Sequence, residues 1–200
     1  MFDSGATNAD GEIVGANGAP LPSETFARLP NGRQAYQPHY DETHPIASAE
    51  EAQIFEELVQ DRAGDFTESF IRRDRVFKDN RLLPQGWRAG GPPGIRLPAH
   101  WLDATRPVNV HGDPHYAGGS GRAVVAYRVP LRTAAAPATL RVEATLWYES
   151  WNPHFRHERT SGDGPAATRL RALLANLHLE QTPDLAGWKM RIASARGPVL

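Results

Sequence analysis

The chain has 200 residues, 40% of them hydrophobic, and a formal net charge of -1, enough length to bury a real core as one domain or as one domain with an extended arm. So balanced a charge offers no basic field to condense onto nucleic acid or anionic lipid, and no apolar run approaches the roughly 18 residues that a membrane span needs. Cysteine is absent, which excludes disulfides, thiolate chemistry, Cys-ligated metal and covalent haem attachment through C-x-x-C-H in these residues.

Residues 1–45 are rich in Gly and Pro and poor in consecutive apolar residues, so they read as an extended N-terminal arm, with a short strand around Glu12-Ile13-Val14. The opening "MFDSGATNADGEIVG" lacks the charged and apolar regions of an export signal and has the texture of a loop and hairpin inside a larger protein. Residues 46–200 then read as a single β-rich domain.

Ser48 and Glu51 have the spacing of a capping box, and Ile54, Phe55 and Leu58 follow, so an amphipathic helix is expected over 49–61. Strands are expected over 65–80 and 122–131, with the Pro- and Gly-rich stretch 84–99 as an irregular connection. The strongest strand signal is 139–151. Val142, Ala144, Leu146 and Tyr148 alternate with Arg141, Glu143, Thr145, Trp147 and Glu149, which predicts one face on a core and one face wet. A second helix is expected over 165–177, with Leu170, Leu173, Leu174 and Leu177 as its buried stripe, and a closing strand over 187–194. Strands without βαβ rhythm predict a mainly β fold: an antiparallel β-sandwich-like domain with two peripheral helices, with α+β as the nearest alternative.

Candidate chemistry is confined to histidines. In "NVHGDPHYAGGSGR", His111 and His115 have helical ligand spacing, but Gly112 and Pro114 between them favour a turn. The glycine run precedes a strand and lacks a Gly-Lys-Ser/Thr ending, so it is no phosphate loop. His154 and His157 lie in "NPHFRHER" just past the long strand; were both loops to meet at one rim, His111, His115, His154 and His157 would suit copper or zinc. His39 sits between Tyr36 and Tyr40 in "YQPHY", where a lone histidine is a structural, hydrogen-bonded residue or an axial ligand to haem held elsewhere. Trp147 and Trp151 would stack on a sugar ring if exposed, giving a carbohydrate-binding alternative.

Five stretches together carry a resemblance: "YQPHYDE" (36–42), "AQIFEELVQDRAGDFTESFIRRDRVFKDNRLLPQGW" (52–87), "GGSGRAVVAYRVPL" (118–131), "ATLRVEATLWYES" (138–150) and "LLANLHLEQTPDLAGWKMRIA" (173–193). The chain resembles the haem-free C-terminal region of bacterial multihaem c-type cytochromes, and "KDNRLLPQGW" (78–87) is the most specific part of that likeness. The resemblance implies a non-catalytic accessory domain in the periplasm or outside the cell. Its partner would be a haem-bearing cytochrome module holding haem c outside these residues, with His39 the residue best placed to reach that haem.

Overall fold

A computed structural model of the protein describes residues 6–7, 13–14, 36–48, 51–129, 141–151, 153–160, 162–176, 185–186 and 189–198. The chain divides into two compact units, one made of Met1–Ala27 with Val129–Leu200 and the other of Arg28–Arg128, so the boundary expected near residue 45 falls inside the second. Among the described residues the secondary structure is small antiparallel sheets, three α-helices and much irregular chain, a composition common to mainly β and α+β folds. Among the described residues no two sheets close into a sandwich.

In the first unit, β1 (Ala6–Thr7) pairs with β2 (Ile13–Val14), which bears out the short strand expected there. The signal over 139–151 becomes β5 (Arg141–Glu149), and the closing strand becomes β7 (Lys189–Pro198), paired antiparallel along its whole length with one bulge after Leu146. A short β6 (Leu185–Ala186) flanks β7. The alternation of β5 is therefore real, but the face expected on a core is open: Val142, Leu146 and Tyr148 are all exposed, while Trp147 is half-buried. The second expected helix is α3 (Pro165–Ala175), opened by proline at its first position, where the missing N–H costs nothing. Its Leu170 and Leu174 are half-buried and its Leu173 exposed; Leu177 lies outside the described residues. A helix the sequence did not announce, α2 (Pro153–Thr160), follows β5 and likewise starts on proline.

The Arg28–Arg128 unit corrects three expectations. The strand expected over 65–80 is confined to residues 75–79, after a single bridge from Phe66 to Gln60 and a turn at 70–72. No helix forms over the described part of 49–61; residues 51–56 are irregular and β3 (Glu57–Gln60) follows, paired antiparallel with β4 (Arg75–Asp79). The Ser48–Glu51 signal is genuine as a turn, because the Glu51 carboxylate accepts from the Ala47 and Ser48 N–H groups at 2.7 and 3.0 Å and the Glu51 N–H donates to the Ser48 carbonyl. The turn does not propagate because Glu56, Leu58 and Gln60 all point inward, a period of two that suits a strand and its partner β4. Over 122–129, the described part of the strand expected at 122–131, there is one parallel bridge, Ile46 to Tyr127, with Tyr127 and Val129 exposed. Without a neighbour along its length, an alternating segment has nothing to complete its backbone hydrogen bonds.

Residues 84–98 are irregular as expected, ending at the short α1 (Ala99–Asp103). One glycine fixes how this loop meets the 118–121 turn. Gly119 has φ +61°, and its carbonyl accepts the Gly86 N–H at 2.8 Å. A Cβ there would collide with the Trp87 carbonyl and lie 2.7 Å from the Trp87 nitrogen. Gly119→Ala is therefore expected to destabilise the unit by about 3 kcal/mol, combining a left-handed penalty with a backbone clash. Gly112→Ala, with φ +77° but open space around it, should cost only about 1–2 kcal/mol. Thermal unfolding of the two variants checks the ranking.

Candidate functional site

The Arg28–Arg128 unit has few large buried apolar side chains, among them Tyr40, Ile46, Leu58 and Tyr116, and packs a network of polar groups beside them. Two anchors organise it. The first is His39, 1% exposed, whose Nε2 lies 3.0 Å from Asp113 Oδ2. Asp113 precedes a short 3-10 turn, Pro114–Tyr116, and caps it by accepting the His115 N–H on Oδ1 at 2.8 Å. The Asp-Pro turn read from the sequence thus has a second role: it aims a carboxylate inward.

The other ring nitrogen of His39 faces two side-chain amides whose orientation the backbone fixes. Gln53 accepts the Tyr40 N–H on Oε1 at 2.8 Å, so its Nε2 is the atom 3.1 Å from His39 Nδ1. Asn80 accepts the Glu56 N–H on Oδ1 and donates from Nδ2 to the Ile54 carbonyl, leaving its second N–H for His39 Nδ1 at 3.3 Å. Two donors at Nδ1 make that nitrogen the acceptor, so the proton of the neutral ring sits on Nε2 and is donated to Asp113. The Tyr116 ring packs edge-on against His39, and its hydroxyl donates to the Asn80 carbonyl at 2.6 Å. Burial first, then the nearby Asp113 and Asp79 charges, push the Tyr116 hydroxyl's pKa above its ordinary range.

The second anchor is Lys78 on β4, also 1% exposed. Its ammonium donates to the Gln37 and Ile54 carbonyls at 2.8 and 3.0 Å and to Glu56 Oε1 at 3.1 Å, using all three protons. Burial pulls its pKa below the ordinary lysine value, opposed by the charge and hydrogen bond of Glu56. The residues 78–80 of "KDNRLLPQGW" therefore serve the interior: Lys78 and Asn80 are buried, and Asp79 holds Arg81 with a 2.6 Å contact between Oδ2 and a guanidinium nitrogen.

Beside this network, the buried Asp41 side chain organises a turn of its own. Its Oδ1 accepts the N–H groups of Thr43 and His44 and the Thr43 hydroxyl, each at 2.7 Å. Burial raises its pKa, but those hydrogen bonds from Thr43 and His44 outweigh it and lower it to about 2. The exposed ring of His44 lies against that of His111, centroids 4.7 Å apart.

His39, Asp41 and Asp113 bring ligand atoms within 4.8 Å of one another and are the one such three-residue group among the described residues. Their surroundings do not suit a resident cation. A histidine that ligates metal donates its other N–H to an acceptor, whereas His39 offers its other nitrogen to two fixed amide donors. The same reasoning applies to a haem iron: with one nitrogen spent on Asp113, the other on Gln53 and Asn80, and the ring 1% exposed, His39 does not fit an axial ligand. The hydrogen-bonded structural role is the one its geometry matches.

The other expected site residues are placed as follows. His111 and His115 belong to the Arg28–Arg128 unit, His111 exposed with φ +53° and His115 half-buried, its Nδ1 3.5 Å from Ser120 Oγ. His154 and His157 lie in the other unit, on α2 and not on a loop, and their side chains lie outside the described residues. Trp151 meets Phe155 edge-on at 5.2 Å, and Arg159 lies 5.0 Å over the Phe155 ring, so that aromatic pair is already engaged within its own helix-turn. The sequence reading missed Asn80, Gln53 and Lys78. A lysine in a chain where 20 of the 22 basic residues are arginine was the available signal, because Lys gives an interior a compact ammonium that arginine cannot. No protein-family model, curated protein or solved structure matches this chain.

Proposed function

We propose that the protein is a non-catalytic scaffold domain, a counterpart of the haem-free terminal region of multihaem c-type cytochromes that its sequence resembles. Its task is to hold loops in fixed positions beside a haem-bearing module, and by the same resemblance it works in the periplasm or outside the cell. One observation supports this best: the chemistry-bearing groups gathered in the Arg28–Arg128 unit are spent on each other, both nitrogens of His39 and all three protons of Lys78 having partners inside the chain. Polar groups engaged with one another in this way favour a rigid, single arrangement. Closure of the strands into a sandwich belongs to the same proposal, since the open apolar face of β5 is the kind of surface a second layer covers.

The test pairs two measurements on the purified chain. In a hemin titration followed through the Soret band, the chain should give no histidine-ligated spectrum; in a biosensor assay, an immobilised multihaem c-type module should bind the chain saturably. A histidine-ligated band from the wild-type chain, lost in His39→Ala, would overturn the scaffold reading, as would failure of the module to bind.

A further inference from the structure

His44 and His111, 67 positions apart by their numbers, have ring centroids 4.7 Å apart and an interplanar angle of 33°, both at the surface of the Arg28–Arg128 unit. The hydrogen bonds around His44 decide which of its nitrogens is open. The Thr43 hydroxyl donates its proton to Asp41 Oδ1 at 2.7 Å, so it presents a lone pair to His44 Nδ1, 2.9 Å away. Asp41 Oδ1 and Oδ2 also lie 3.2 and 3.4 Å from that nitrogen. Everything facing Nδ1 is an acceptor, so Nδ1 carries the proton and the lone pair of the neutral ring is on Nε2. That side chain is 54% exposed.

This is the carboxylate–histidine arrangement that prepares an imidazole for a metal: the buried carboxylate fixes the tautomer and ring orientation, and the outer nitrogen is left basic and accessible. It is the reverse of His39, whose outer shell is made of donors. His111 supplies the second imidazole, held at the surface by a left-handed backbone, φ +53°, in the turn before Asp113. Metal–nitrogen bonds of about 2.0–2.1 Å put two ring nitrogens on one ion about 3.4 Å apart, a span that adjoining rings reach by small side-chain rotations.

We infer that His44 and His111 form a two-imidazole surface site for a divalent transition-metal ion of the zinc–copper class, with Asp41 and Thr43 as positioning residues. Water or a partner's side chain completes the coordination. Imidazole favours these ions over magnesium or calcium. The inference stands independently of the scaffold proposal, since neither ring takes part in the buried network.

Isothermal titration of the untagged full chain with ZnCl2 tests it. The expected result is saturable uptake of one ion per chain, weakened at least tenfold in His44→Ala and in His111→Gly, and about tenfold in Thr43→Val. Uptake should be unchanged in the double variant His154→Ala/His157→Ala, and MgCl2 should give no saturable heat. In the wild-type chain, where no variant can mislead by misfolding, zinc should shift the His44 ring resonances and leave those of His39 in place. No saturable uptake, affinity unchanged in both His44→Ala and His111→Gly, or loss of uptake only in the α2 double variant would overturn the inference.

Discussion

His39→Ala is expected to lower the unfolding free energy of the Arg28–Arg128 unit by about 3–5 kcal/mol, the range for stripping the partner from a buried charge. The substitution removes the donor to Asp113 Oδ2 and leaves that carboxylate with the His115 N–H. It also deprives the Gln53 and Asn80 amides of their shared acceptor and opens a space beside Tyr116. Buried donors without acceptors cost about 1–3 kcal/mol each, and the neighbours relax too little to repair them. Asp113→Asn keeps the volume but has one oxygen for two donors, the His39 Nε2–H and the His115 N–H, so it should cost about 1–3 kcal/mol, less than His39→Ala. Denaturant unfolding followed through tryptophan emission, to which Trp87 and Trp101 of this unit contribute, measures both. A loss under about 1 kcal/mol in His39→Ala would mean that the network is not what holds the unit together.

The second large effect is expected at Lys78. Lys78→Ala leaves the Glu56 carboxylate buried without its ammonium and takes one donor from each of the Gln37 and Ile54 carbonyls, the latter keeping the Asn80 side-chain N–H, for a loss of about 3–5 kcal/mol. The informative comparison is the double variant Lys78→Met/Glu56→Leu. An ion pair replaced as a pair by apolar groups of similar size is often neutral, because the desolvation of both charges disappears with their attraction. The double variant should therefore be more stable than Lys78→Ala by about 2 kcal/mol or more, and denaturant midpoints report the difference. Should the double variant be no better than Lys78→Ala, the carbonyl contacts rather than the charge pairing would be the main contribution of this lysine.

These two anchors show which parts of the fold could be read from the sequence. β5, β7 and α3 were legible because period two and period 3.6 are local properties, present in ten consecutive residues whatever the rest of the chain does. Helix 49–61 was misread for a physical reason. Ser48 and Glu51 satisfy each other in the first turn of a helix and in an isolated turn alike, and the choice was made by β4, whose pairing with Glu57–Gln60 requires the extended form. The 122–131 segment alternates as a strand does, but among its described residues the one β-bridge is to Ile46. As for the site, His39 could be singled out from its aromatic flanks, but its partner Asp113 lies 74 residues away and Asn80 lies 41 away. No local pattern carries that information. The pairing of His44 with His111 was equally invisible, because each is a loop residue whose position depends on the loop as a whole.

The central claim is that His39 is an internal hydrogen-bonding residue, with its proton on Nε2 toward Asp113 and its Nδ1 accepting from Gln53 and Asn80. Long-range proton–nitrogen correlation NMR of the imidazole rings, recorded before and after adding ZnCl2 and hemin in turn, tests this most directly. The account predicts one histidine ring with a protonated Nε2 and an acceptor Nδ1, assigned to His39 and unmoved by either addition. A His39 ring with its proton on Nδ1, or one whose resonances shift or vanish when metal or hemin is added, would contradict it.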